Sequence, residues 1–457
     1  MQKLIITLFI LIFGTLSARS QQVVVESIFL EALSSNIAYE NLQILCETTE
    51  GRIAGSQASL AAVDLTQRMM EGLELDSVYR QEIMVPHWIR GEVELSRMES
   101  RLLGSQALTV SSLGLSVGTG PDGVKARVTE VKGLDELESL GREGIEGRII
   151  FFNRPFNHAF YNTFLGYGDA VDQRFYGPHR AAQYGAVAVI VRSVTSAIHD
   201  FAHTGVTYVS EEGPNIPAVA VSTLGAEQLS QWLEADPELE LYLETHCRQL
   251  PDTVSYNVIG EIRGSHYPNE IITVGGHLDA WDNSPGAHDD GAGCMQSMEV
   301  LRIFRALGLQ PKRTVRAVMF MDEEIAQRGG QAYVEDARVN GEEHYFALEA
   351  DRGAFSPRGF SIDAAPENLL AIQALQPLFA PYGMHEFIAG GSGVDIEPLK
   401  KHFQMTLAGL LTDSQRYFDV HHSANDTFDK INRREMQLGS AAMAALIYLL
   451  DAGDVLK

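Results

Sequence analysis

Cysteine is nearly missing from this chain: three residues, Cys46, Cys247 and Cys294, stand far apart among 457. No zinc-ribbon or thioredoxin spacing exists, at most one bridge could form, and a disulfide scaffold is excluded. Any metal site must therefore be built from histidine and carboxylates. Basic charge is also scarce, 35 Lys and Arg against 60 Asp and Glu, for a formal net charge of −25. A phosphate backbone needs clustered cations, so nucleic acid is excluded as a partner. Beyond the N-terminal segment nothing approaches the roughly eighteen uninterrupted apolar residues of a spanning helix, so no stable membrane insertion is expected once that segment is removed. Internal repeats and low-complexity linkers are absent as well.

What is present is an ordinary globular composition, 45% hydrophobic, with room for a large core and about two or three domains. The N-terminus opens Met1-Gln2-Lys3, runs apolar from Leu4 to Leu16 and passes into Ser17-Ala18-Arg19-Ser20-Gln21. That order, one positive charge, a short apolar segment and a small-residue site, predicts a signal over residues 1–20 and a secreted or periplasmic mature chain. A retained short anchor is the alternative reading.

Glu26 to Thr49 reads as helix, Gly51–Ser56 as a loop, and Ser56 to Met70 as helix again. From Arg90 to Ala126 short alternating runs between Gly and Ser residues predict strands and turns. Strand, helix and strand signals follow at Gly147–Phe152, Ala181–Tyr184, Gly185–Val191 and Ile216–Ser222, with a helix from Gly225. From Asn257 onward an α/β alternation sets in, with strands at Ile271–Val274, Thr314–Met321 and Tyr345–Glu349 and helices at Cys294–Leu307 and Arg434–Leu450. Sites in such sheets gather at the carboxyl ends of strands.

Each strand end carries chemistry. Ile271–Val274 runs into Gly275-Gly276-His277-Leu278-Asp279, and a loop then reaches His288-Asp289-Asp290-Gly291. Thr314–Met321 delivers Asp322-Glu323-Glu324, whose adjacent glutamates point different ways, so that one can bind metal while the other faces water. Tyr345–Leu348 ends in Glu349-Ala350-Asp351, and His421-His422-Ser423-Ala424-Asn425-Asp426 precedes the last helix. Clustered carboxylates are costly unless a cation neutralises them. Histidine and carboxylate together form a donor set suited to zinc, with cobalt or manganese as further candidates. Asn425-Asp426-Thr427 also fits a glycosylation triplet, which chance explains.

On these motifs the chain resembles the clan MH zinc exopeptidases, and most nearly their carboxypeptidase Q branch, over almost the whole mature length. The resemblance implies a fold of class α/β: a mixed-sheet, phosphorylase/hydrolase-like exopeptidase domain (residues 21–115 and 251–457) with a smaller protease-associated domain inserted over 116–250. It implies two zinc ions, one held by His277 and Asp351, the other by Glu324 and His422, with Asp289 bridging. Glu323 would be the general base and Asp279 the residue orienting His277, with His421 and Asp426 in supporting positions. The implied partners are a short peptide or dipeptide and a second copy in a homodimer. His288 has no role in this scheme and reads as a satisfied loop histidine. Gln404-Met405 departs from the expected Val-Pro, which puts the late strand's geometry in doubt, and Asp395 is a candidate pocket-lining acid. The alternatives are an aminopeptidase of the same clan, a glutaminyl-cyclase-like acyltransferase with one zinc, and a receptor-like ectodomain without metals.

Overall fold

The structure is a computed structural model that describes residues 21–456, so the segment 1–20 read as a signal lies outside the described residues. Its first feature differs from expectation. The helix expected over Glu26 to Thr49 is broken into residues 21–34 and Ile37–Thr48. The Ser35 hydroxyl accepts the Ile37 N–H, a local bond of the kind that lets Ser and Asn compete with helix continuation. The next helix, Gln57–Glu71, starts where Ser56 caps it by accepting the Ser59 N–H, as that residue type favours.

Two eight-stranded sheets organise the molecule. The first runs, in spatial order, Ser77–Ile89, Arg248–Ile262, Arg313–Phe320, Tyr267–His277, Glu343–Glu349, Thr406–Thr412, Pro357–Asp363 and Glu386–Ala389. Its four central strands are parallel, Tyr267–His277 lying between Arg313–Phe320 and Glu343–Glu349, with Thr406–Thr412 beyond. Arg313–Phe320 and Thr406–Thr412 are buried at every position, which is why they read as continuous rather than alternating runs. Parallel pairing brings the carboxyl ends of all four to one edge, and the sequence motifs lie at three of those ends. Gln404 does not disturb the start of the late strand: it closes the helix Glu397–Phe403 in the left-handed conformation, and Thr406–Gly409 pairs in regular register with Phe346–Glu349.

Helices pack on this sheet through one large core. Ala292–Ala306 is buried along most of its length, and Arg433–Gly453 lies against it. The latter is long and apolar enough to cross a membrane, but 78% of its most apolar window is buried in the fold, which identifies it as a core helix.

The second sheet runs Gly104–Leu108, Glu94–Ser100, Glu240–Thr245, Val124–Val131, Ile149–Phe152, Ala188–Arg192, Ala218–Val221 and Val110–Ser112. It begins at Glu94, ahead of the boundary at 116 expected for the insert. Glu94–Ser100 pairs with Glu240–Thr245, and Val110–Ser112 with Ala218–Val221; partners so remote in sequence leave no local trace in the strands themselves. Two apolar clusters cover its faces.

Candidate metal centre

The centre is assembled by main-chain geometry first. Asp290, fully buried, accepts the His277 N–H at 3.1 Å and the Gly293 N–H at 3.0 Å, tying the end of Tyr267–His277 to the start of the helix Ala292–Ala306. The approach is close enough to require glycine. A Cβ on Gly276 would stand 2.3 Å from the Asp290 carboxylate, and one on Gly293 only 1.8 Å from the Ala350 carbonyl. The Asp279 carboxylate accepts the N–H groups of Asp322, Glu323 and Glu324 at 2.8, 3.2 and 3.3 Å, which fixes the turn that presents the two glutamates. Toward His277 the same residue acts through its carbonyl, 3.0 Å from Nδ1, while its carboxylate is 3.8 Å away. Asp426 accepts the N–H groups of His288 and Asp289, at 2.8 and 3.0 Å.

Around these supports five side chains converge. Asp289 stands in the middle, its Oδ1 3.2 Å from His277 Nε2 and its Oδ2 3.4 Å from His422 Nε2. On one side His277 Nε2 lies 3.5 Å from Asp351; on the other His422 Nε2 lies 3.0 Å from Glu324. One carboxylate thus faces two His–acid pairs, an oxygen to each. His422 adopts a left-handed backbone, φ +60°, as does Asp322 at +75°, a conformation that non-glycine residues hold where the surroundings impose it.

Each histidine turns Nδ1 to a carbonyl, His277 to Asp279 and His422 to Thr204 at 3.3 Å. An Nδ1–H donated there leaves Nε2 with its lone pair free toward the acids, the arrangement metal-ligating histidines use. His421 stacks on His422 with ring centres 3.5 Å apart and stands 3.6 Å from Asp289. Only His422 of the two is paired with Glu324.

The electrostatics ask for cations. Burial first, then the carboxylates of Asp351, Glu324 and Asp289, push Glu323 well above the ordinary carboxylate range against the pull of His277. Burial and Asp289 do the same to Glu324. The second oxygen of Asp289 and Oε1 of Glu324 are buried without a hydrogen-bond partner. Unpartnered buried acid oxygens are expensive, and histidine nitrogens beside them complete a donor set that fits divalent zinc. The residues present therefore fit a metal pair.

Several residues that no motif marked also act here. Arg52, fully buried, donates to the carbonyls of Leu278, Pro285 and Gly286, holding the loop between His277 and Asp289. The Tyr417 hydroxyl stands 3.4 Å from Asp351. From the second sheet's unit, His203 Nδ1 meets the His421 carbonyl at 2.6 Å and the Thr204 N–H donates to the His422 carbonyl at 2.9 Å. Nothing local in the sequence announced this contact. His288 stacks on Phe355 and accepts the Ala354 N–H, and burial lowers it to about 4, a neutral structural histidine. Asp395, read as a pocket-lining acid, is completely buried and is not among the residues lining the cavity that the Gly-rich loop before it borders. Glycines signalled a solvent-facing loop, and the aspartate turns inward at its end.

The profile of peptidase family M28 matches residues 257–447. Carboxypeptidase Q of Bos taurus is 32% identical over 417 residues, covering 91% of this chain and 86% of the relative. The Homo sapiens protein of that name is 31% identical over the same shares. Among solved structures, a peptidase M28 precursor from Shewanella amazonensis SB2B superposes with a TM-score of 0.89 at 30% identity, over 95% of this chain and 97% of that one. A zinc aminopeptidase from Bacillus subtilis, with a TM-score of 0.64 at 20% identity over 90% and 94%, shares the fold.

Proposed function

The chain belongs to peptidase family M28 and is a zinc metallopeptidase, and from that premise we propose that it is an exported two-zinc exopeptidase that hydrolyses unblocked short peptides, dipeptides above all, reading the C-terminal end. The observation that carries the metal part is the buried Asp289 carboxylate with one oxygen toward His277 and the other toward His422. In this reading His277 and Asp351 would hold one ion, Glu324 and His422 the other, and Asp289 would serve both. The preference for short peptides with a free C-terminus is supported by similarity to carboxypeptidase Q. The second sheet's unit is the protease-associated insert of this scheme.

When bound, the metal pair supplies Lewis acidity toward the scissile carbonyl and lowers the pKa of the attacking water. Glu323, adjacent to Glu324 and only partly buried, takes the proton of that water and returns it to the leaving amine. Asp279 keeps Glu323 in place through the backbone of the turn, and Tyr417 steadies Asp351.

The test is metal analysis of the purified protein together with hydrolysis of dipeptides free at both ends, capped at the amino end, or capped at the carboxyl end. Two zinc ions and cleavage slowed far more by the C-terminal cap are expected. Rapid cleavage of amino-acid p-nitroanilides, with no response to the C-terminal cap, would move the protein to the aminopeptidases. Release of pyroglutamate or the absence of metal would favour the cyclase or receptor alternatives.

A further inference from the structure

A cavity of about 410 Å³ opens beside the metal centre, with Asp351 in its wall. Asp351 is the open side of that centre: its side chain is 24% exposed, whereas His277, Asp289, Glu324 and His422 each stay at 10% or less. The next residue, Arg352, lines the same cavity and is its one basic side chain, facing walls that carry Asp363, Glu397 and the loop Gly391–Val394.

Arg352 is unlike other arginines of the fold. Arg358 is paired with Asp413, Arg416 with Glu435, Arg90 with Asp282 and Arg316 with Glu342. The Arg352 guanidinium has neither an ion pair nor a hydrogen-bond partner among the described residues. The cavity's acids are otherwise engaged: Asp363 pairs with Lys400, Glu397 with Lys401, and Asp351 stands against His277 and Tyr417. Instead Arg352 lies over the Phe164 ring, 4.8 Å from its centre, which holds its plane while leaving its donors free. A half-buried, unpaired guanidinium is a fork shaped for a carboxylate, and in a peptide the terminal carboxylate lies only a few bonds beyond the scissile carbonyl.

We propose that Arg352 binds the terminal α-carboxylate of the substrate, with Phe164 as its stacking support, so that the cavity receives the C-terminal residue of a short peptide. The inference rests on the exopeptidase reading above and supplies the feature by which one peptide end is chosen.

The test is steady-state kinetics of the zinc-loaded wild type, Arg352→Lys and Arg352→Met on a dipeptide and its C-terminal amide, with thermal midpoints recorded alongside. Arg352→Met keeps most of the apolar stem. It is expected to lower kcat/KM on the free acid by about 10- to 100-fold, the worth of a hydrogen bond to a charged group, through KM rather than kcat. The amide should change by less than about threefold on the same reasoning, and Arg352→Lys should recover part of the loss on the acid. Equal losses on both substrates would reduce Arg352 to a structural part, and no loss on either would remove it from the site; both overturn the proposal. A wild type that cleaves acid and amide alike sinks the Arg352 assignment together with the C-terminal preference, and leaves the two-zinc exopeptidase reading standing. One that holds metal and cleaves neither sinks the exopeptidase reading with it.

Discussion

At the scale of single residues, neighbouring glutamates are expected to fail differently. Glu323→Gln should lower kcat by about 10²- to 10⁴-fold, the usual contribution of a positioned acid or base, while metal content stays unchanged. Glu324→Gln should lose metal, because Glu324 is the acid facing His422. Mass spectrometry of metal content beside kcat separates the two, and near-normal turnover of Glu323→Gln would reassign the base. These residues were legible in the sequence because each ends a strongly apolar strand, where a carboxylate or histidine has no reason to cluster except for a ligand. The division of Asp279 between a carbonyl for His277 and a carboxylate for the Glu323 turn was not legible, since sequence cannot tell main-chain from side-chain hydrogen bonding. Arg352 went unseen for a related reason: its meaning lies in the partner it lacks, and only coordinates show that.

At the scale of elements, the centre depends on one helix start touching two strand ends. Gly293→Ala would place a Cβ 1.8 Å from the Ala350 carbonyl, and backbone there cannot rotate away. The expected cost is about 1–3 kcal/mol or more, as overpacking of a core gives, together with weakened metal binding because Asp351 follows Ala350. Calorimetry and metal titration would show both; an unchanged melting temperature would contradict the packing described. A second test concerns the strand Arg313–Phe320. Although burial opposes it, hydrogen bonds from His344 and Arg316 hold Glu342 down at about 2 in the folded protein, against 4.5 ordinarily. The folded-state value is the lower one, so this pair stabilises above about pH 4.5 and the contribution fades as pH falls toward 2. Denaturant unfolding across that window should show Glu342→Gln losing less stability on acidification than the wild type. The parallel strands were legible because burial on both faces makes their central runs, such as Ile271–Val274 and Ala317–Phe320, largely apolar. The start of the second sheet at Glu94 was not, because what joins the local hairpin of Glu94–Ser100 and Gly104–Leu108 to that sheet is pairing with Glu240–Thr245, more than a hundred residues away, and the break before Ile37 coincides with a single serine hydroxyl bond.

At the scale of the whole molecule, the two sheets meet over the chemistry. The loop at His203 and Thr204 grips the backbone of His421 and His422, so the second sheet's unit is part of the metal site's support. The proposed export is tested by N-terminal sequencing of native protein, with a start near Gln21 expected and a retained Met1 on cytoplasmic material against it; light scattering tests the expected homodimer, which a monomer mass would contradict. The central claim, that Asp289 joins two metal positions into one peptidase centre, is tested most directly by titrating chelator-stripped protein with zinc while following hydrolysis of an unblocked dipeptide. Activity is expected to rise to a plateau at two zinc ions per chain and to stay absent in Asp289→Asn. Full activity without added metal, a plateau at one ion, or an active Asp289→Asn would contradict it.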